Sequence, residues 1–315
     1  MHLVITNAMH CAPGCHQASA SLRLPYLEQL LQRLETGPSD MGAASSWSTP
    51  DERVLGLAHG LPVDDGRIPW AAWQVRCSGR DPGAEAWAQV TPVHLDVGAA
   101  HISMGPVHQL QLGAEESQAL LEAMRPYFAE DGITLEYLAP TQWLARGALF
   151  ADMASASLGR VSGSDIDSWI PRSGQAASLR RLQNEMQMLL YAHPVNEARG
   201  ARGLPLVNSF WVSGCGAAPV GTVAAAAAAN AVCAVTELGQ SALDGDWAAW
   251  SAAWRSIDAG HCARLLALVR AGAPARLSLC GDRGALNFGP RQRPRLARWA
   301  GRLRRPHLHA LREQL

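Results

Sequence analysis

An α/β fold is what this sequence predicts, and three observations predict it. Short apolar, β-rich runs alternate with segments whose leucines recur at helical spacing. Residues 206–213, Leu-Val-Asn-Ser-Phe-Trp-Val-Ser, end in Gly214-Cys215-Gly216 and lead past Pro219 into alanines, the pattern of strand, glycine turn and helix. No fixed period marks a solenoid or propeller. The 315 residues, 48% hydrophobic and 17% charged, allow one large or two modest domains and exclude a disordered or collagen-like chain.

The elements follow in order. Residues 3–6 form a short apolar strand, and residues 20–34 place Leu24, Leu27, Leu30, Leu31 and Leu34 at helical spacing with Pro25 in the first turn. Residues 37–48 read as a Gly/Ser/Pro loop, and Thr49-Pro50-Asp51-Glu52 as a capping box opening a helix to about Gly60. A compact α+β unit follows, with strands at 89–97, 101–104 and 133–138 and a helix at 114–128 carrying Leu120, Met124 and Phe128. Leu179, Leu182, Met186, Leu189 and Leu190 mark a helix that stops at His193-Pro194. Residues 246–255 and 258–270 read as helices and 275–280 as a last core strand before Gly281-Asp282. The domain reading is an α/β core over 1–290, with 87–140 as an insertion or cap, and an Arg-rich C-terminal helix over 291–315.

The formal net charge is zero and the chain has no lysine. Residues 1–160 carry 9 Arg against 17 acids and residues 161–315 carry 18 against 10, so the two halves attract. Eight of the later arginines lie between Arg291 and Arg312, on a helix with Leu296, Trp299, Leu303 and Leu311 along one side. Neither a stacking platform nor a helix-turn-helix accompanies them, so nucleic acid is not the expected partner. No window reaches the roughly 18 apolar residues of a membrane span, and the first residues lack a basic n-region, so a cytoplasmic protein is expected. Seven cysteines without regular spacing fit reduced thiols better than a disulfide framework.

Four groups of residues carry candidate chemistry. His10-Cys11-x3-Cys15-His16 offers zinc-type donors, but seven residues do not supply the two separated ligand pairs of standard sites, and no metal is expected there. Cys215, between glycines after a strand, is a candidate thiolate nucleophile for a thiol-dependent hydrolase. The same turn, with Asn208, Ser213, Gly214, Cys215 and Gly216, is equally a candidate anion site without a catalyst. Asp152, Asp165 and Asp167 beside Ser155 and Ser157 offer metal ligands and hydroxyl nucleophiles, although capping and turn formation explain such clusters too.

Residues 182–190, then His193-Pro194-Val195-Asn196, Arg199 and the run from Pro205 through Gly216, resemble the bacterial RpfE-type regulatory proteins, often labelled phosphoglycerate mutase. Pro92-Val93-His94-Leu95, Asp131-Gly132, Gln142-Trp143-Leu144 and residues 277–282 extend the resemblance over most of the chain. It implies an alkaline-phosphatase-like core sheet with flanking helices and a small α+β insertion. Pro205, Asn208, Gly214 and Gly216 are similar to the Pro-x-x-Asn and Gly-x-Gly stretch of archaeal-type mutases. Cofactor-independent mutases hold two divalent metals with Asp and His at strand ends. Here Asn7 stands where the first strand ends in aspartate, and Asp282-Arg283 where a late Asp-His pair is expected. The resemblance therefore implies a degenerate, regulatory protein that needs no cofactor and binds an anionic small molecule or a protein partner, with Asn7 and Asp282 as remnants of the metal site. The alternative is an active phosphoryl-transferring mutase using manganese or zinc, with Ser155 or Ser157 as nucleophile and Asp152, Asp165, Asp282 and His94 as ligands.

Overall fold

The computed structural model describes residues 1–98, 101–171, 176–219, 232–290 and 307–315. Its strands are β1 (His2–Ile5), β2 (Glu35–Thr36), β3 (Asp40–Met41), β4 (Ala86–Val93), β5 (Leu95–Val97), β6 (Ile102–Met104), β7 (Thr134–Ala139), β8 (Gln142–Arg146), β9 (Ser209–Ala217), β10 (Val232–Val235), β11 (Arg276–Cys280) and β12 (Gly284–Gly289). They belong to two compact units, one of Met1–Ser45, Thr49–Gly60 and Thr222–Leu315, the other of Ser46–Ser48 and Leu61–Gly221. No described helix is long and apolar enough to cross a membrane.

The first unit is a mixed sheet in the order β10-β1-β11-β12-β2, with β3 also on β12. β1 runs parallel to both β10 and β11, whereas β12 returns antiparallel to β11. Period-two alternation explains how this strand serves two cores. Leu3, Ile5, Leu277 and Leu279 pack with Leu27, Leu30, Trp250, Trp254, Leu265 and Leu266 of the helices Pro25–Arg33, Trp247–Ile257 and Ala263–Arg270. Val4 and Cys280 pack with Val54 and Ala285 instead, Val54 coming from the helix Pro50–Ala58. That helix opens with the expected capping box, Glu52 accepting from Thr49 N at 3.1 Å.

One sequence expectation changes here, and a second lies mostly outside the described residues. The segment 20–34 is not one helix: Pro13–Ser21 and Pro25–Arg33 are separate, because Pro25 sits at a helix start and Leu22–Leu24 are extended or irregular before it. The tail helix of 291–315 falls outside the described residues up to 306, and the described end carries only a 3₁₀ turn at Leu308–Leu311.

The second unit is an antiparallel sheet in the order β7-β8-β4-β9. The helices Ala114–Glu130 and Ala176–Tyr191 cover one face, packing Leu120, Met124, Phe128, Leu182 and Met186 on Val90, Trp143, Phe210 and Val212. On the other, Ala71, Ala72 and Val75 of the helix Trp70–Cys77 meet Trp87 and Leu144. The α+β layer expected over 87–140 lies inside this unit, which extends beyond it to the helix Trp70–Cys77 on one side and to Ala176–Tyr191 and β9 on the other, all three packed on its sheet or part of it.

The expected strand, turn and helix around Gly214-Cys215-Gly216 is corrected as well. All three residues belong to β9, Gly216 pairing with Trp87 of β4 while Gly214 and Cys215 fall in the register shift between Trp87 and Gln89. Gly214 adopts φ +62, and a Cβ there would lie 3.0 Å from Trp70 Cβ, so the glycine serves a bulge pressed against a helix. The alanine run beyond it lies outside the described residues.

Candidate functional site

In α/β sheets ligands bind beyond the carboxyl ends of parallel strands, where the chain reverses direction between neighbours. In the first unit that edge is built by the segment after β1 and the turn after β11. β1 continues through Thr6, whose N–H donates to the Val235 carbonyl, and Ala8, whose N–H donates to the Cys280 carbonyl at 2.7 Å. Asn7 between them takes φ 51, which a short polar side chain tolerates, and its carbonyl accepts from Trp250 Nε1 at 3.1 Å. Asp282 and Arg283 lie at the tip of the β11–β12 hairpin, closed by Gly281 N donating to the Gly284 carbonyl.

These two segments meet. Asp282 Oδ2 accepts from Cys11 N at 2.9 Å and lies 3.5 Å from His10 Nε2. One ligand atom each of His10, Cys11 and Asp282 lies within 4.8 Å of the others, the His/Cys/Asp/Glu group of that kind found among the described residues. Burial and the neighbouring Asp282 carboxylate raise the Cys11 thiol above its usual range. His10 is oriented twice, by Ala12 N donating to its Nδ1 at 3.0 Å and by the Trp247 ring at 5.5 Å. A Cβ on Gly14 would collide with Trp247, so the close approach behind His10 needs glycine there. Beside the cluster is a cavity of about 170 Å³ lined by His16, Arg283, Arg312 and Glu313 as well as His10, Cys11 and Asp282.

The four-residue group 10–16 thus divides. Cys15 is buried in the helix Pro13–Ser21, its sulfur accepting from His10 N and bonded to Met9 Sδ at 3.7 Å, while Asp282 joins His10 and Cys11. Sequence spacing could not reveal this, since the partner lies some 270 positions away and arrives through β1–β11 pairing.

The other candidates lie elsewhere. Cys215 is fully buried and desolvation pushes its thiol up to about 12, so as folded it is no thiolate nucleophile; the Ser155 hydroxyl donates a hydrogen bond to its sulfur at 3.5 Å. Ser155, Ser157 and Ser213 are all buried, and the Ser157 hydroxyl has no hydrogen-bond partner. Asn208 clamps Leu95, accepting from its N–H and donating to its carbonyl, both at 2.7 Å. Gly214 and Gly216 lie against Trp70 and Pro69, each with a prospective Cβ 3.0 Å from theirs. Asp165 accepts from Asp167 N in a local turn, Asp152 is exposed, and His94 donates Nδ1–H to the Leu206 carbonyl at 2.8 Å. Asp282 belongs to the first unit and Asp152, Asp165 and His94 to the second. A pair of hard divalent ions does not fit the strand-end residues present: Asn7 offers a neutral amide and Arg283 offers no lone pair.

Fold and site define an α/β protein with a small polar cavity at the carboxyl end of its parallel strands. No family model matches the chain, and no curated protein matches it. Among solved structures it is similar to a cofactor-independent phosphoglycerate mutase from Thermoplasma acidophilum DSM 1728, at 13% identity and a TM-score of 0.37, covering 99% of this chain and 98% of that one. It is also similar to the PH0037 protein from Pyrococcus horikoshii, at 12% identity and a TM-score of 0.43, covering 92% and 87%.

Proposed function

We propose that this chain is a non-catalytic binding protein, a degenerate mutase-like shell in the manner of the RpfE-type regulators it resembles, that holds an anionic small molecule in the cavity beside Asp282. The lining carries the reading: Arg283, Arg312, His10 and His16 surround a cavity of about 170 Å³, against Asp282 and Glu313. Arginine favours such a ligand through planar, charge-assisted hydrogen bonds. Asn7 in place of an acid and Arg283 beside Asp282 are what a binding site derived from a metal-dependent catalyst would look like.

Titration of the purified chain with inorganic phosphate and with 3-phosphoglycerate tests this. Loss of one charge-assisted contact, worth roughly 1.5–3 kcal/mol, makes Arg283→Ala weaken binding about 10- to 150-fold. In a manganese-supplemented assay no interconversion of 2- and 3-phosphoglycerate is expected. About two equivalents of bound divalent metal, with turnover abolished by Asp282→Ala, would overturn the binding reading and restore the mutase.

A further inference from the structure

The geometry points to a single zinc-class metal site formed by His10, Cys11 and Asp282, with its open position facing the cavity lined by Arg283 and Arg312. It rests on the anion-binding reading only for what fills that open position. An imidazole, a thiol and a carboxylate make a donor set that suits zinc and not the oxygen-preferring magnesium or manganese. The spacing suits it too. Two ligand atoms about 2.0–2.1 Å from one tetrahedral ion are roughly 3.3–3.4 Å apart, and His10 Nε2 and Asp282 Oδ2 are 3.5 Å apart.

The backbone holds the three groups before any ion arrives. The hairpin tip fixes Asp282, its bond from Cys11 N ties it to the segment after β1, and Trp247 backs the imidazole. One change accompanies coordination. Binding through Nε2 puts the ring proton on Nδ1, so the bond from Ala12 N is given up. The ion displaces the thiol proton to the solvent, and thiolate plus carboxylate then balance its two charges. A neutral centre of this kind tolerates the two arginines and leaves them to hold an anion that completes the tetrahedron. Three protein ligands leave one coordination position open to an exogenous ligand, whereas four protein ligands close a structural site.

The test uses the full chain, stripped of metal and titrated with zinc against a chromophoric chelator, then with cobalt(II) as a spectroscopic stand-in, both in phosphate-free buffer. One equivalent is expected, with a thiolate-to-cobalt charge-transfer band. Cys11→Ser, a substitution at an exposed position, should remove the band and weaken zinc by on the order of 100-fold or more, beyond the 10–100-fold that an outer partner costs. Cys77→Ser, the exposed thiol of the other unit, should change neither. No uptake, or a band that survives Cys11→Ser, overturns the site whatever phosphate does. Uptake with a band that phosphate shifts supports the whole proposal; uptake with a band indifferent to phosphate upholds the metal site and overturns the anion as its fourth ligand, leaving the anion-binding reading to the direct phosphate titration.

Discussion

Asp258 shows how one carboxylate does the work of a cap from another helix. The helix Pro25–Arg33 follows Leu24, which has no side-chain acceptor, yet Leu27 N and Tyr26 N donate to Asp258 at 2.7 and 3.3 Å. Asp258 reaches them from a π-helical stretch, Asp258–Cys262, that widens the chain between two α-helices. Burial raises its carboxyl above the usual range even against those bonds. Asp258→Ala should therefore lower unfolding stability by about 1–2 kcal/mol, as loss of a cap does, and Asp258→Asn should restore most of it; equal losses in denaturant titrations of both variants would refute the capping role. His2 is a second such residue. It donates Nε2–H to Ser278 Oγ at 2.8 Å, and that hydroxyl donates to Asn287. Burial first, and the charge of Arg276 next, lower its pKa to about 4. Because the folded value lies below the ordinary 6.5, the unfolded chain binds the proton more tightly. This contribution to stability is full above pH 6.5 and is lost as pH falls towards 4. His2→Gln should flatten the dependence of the urea midpoint on pH across that window; an unchanged slope would show that the other histidines carry it.

At the scale of elements, β9 separates two readings of Gly214-Cys215-Gly216. Read as a turn, its amides would hold an anion; observed as a bulged strand, its glycines let Trp70 and Pro69 approach. Gly214→Ala forces a side chain into a left-handed conformation and against Trp70, a cost of about 1–3 kcal/mol in stability. Phosphate affinity of the folded variant should equal that of the parent, and a selective loss of affinity would restore the turn. The ambiguity is physical: glycine after a β-rich run signals either a turn or a bulge, and only the β4 partner decides between them. Patterns that depend on near neighbours were legible. The capping box at Thr49 formed, the 114–128 helix became Ala114–Glu130, and the 179–190 leucines became Ala176–Tyr191, bounded by His193-Pro194. The candidate site was half legible. His10 and Cys11 announce themselves as donors and Asp282 stands out after a core strand, but their meeting depends on β1 and β11 being parallel neighbours.

At the scale of the whole molecule, the second unit is almost one continuous segment, Leu61–Gly221 with Ser46–Ser48, set within the sequence of the first. Each unit has its own core, Trp250 and Trp254 among the buried residues of one and Trp143, Phe128 and Phe210 among those of the other. A core complete in itself unfolds as its own cooperative unit. Arg199 provides a handle on the second unit. Its side chain is wholly buried, donating to the Leu110 and Pro205 carbonyls and pairing with Glu116, which Arg202 also holds. For Glu116, burial opposes ionisation but the hydrogen bonds from Arg202 and Arg199 outweigh it and hold the carboxyl below its ordinary value. Arg199→Met strips two buried carbonyls and one carboxylate of a donor, a loss of roughly 3–5 kcal/mol. Differential scanning calorimetry should show two transitions, with Arg199→Met lowering one and Asp258→Ala the other. A single transition displaced by either substitution would mean that the two cores unfold together, and the zinc site would then stabilise the whole chain and not the first unit alone.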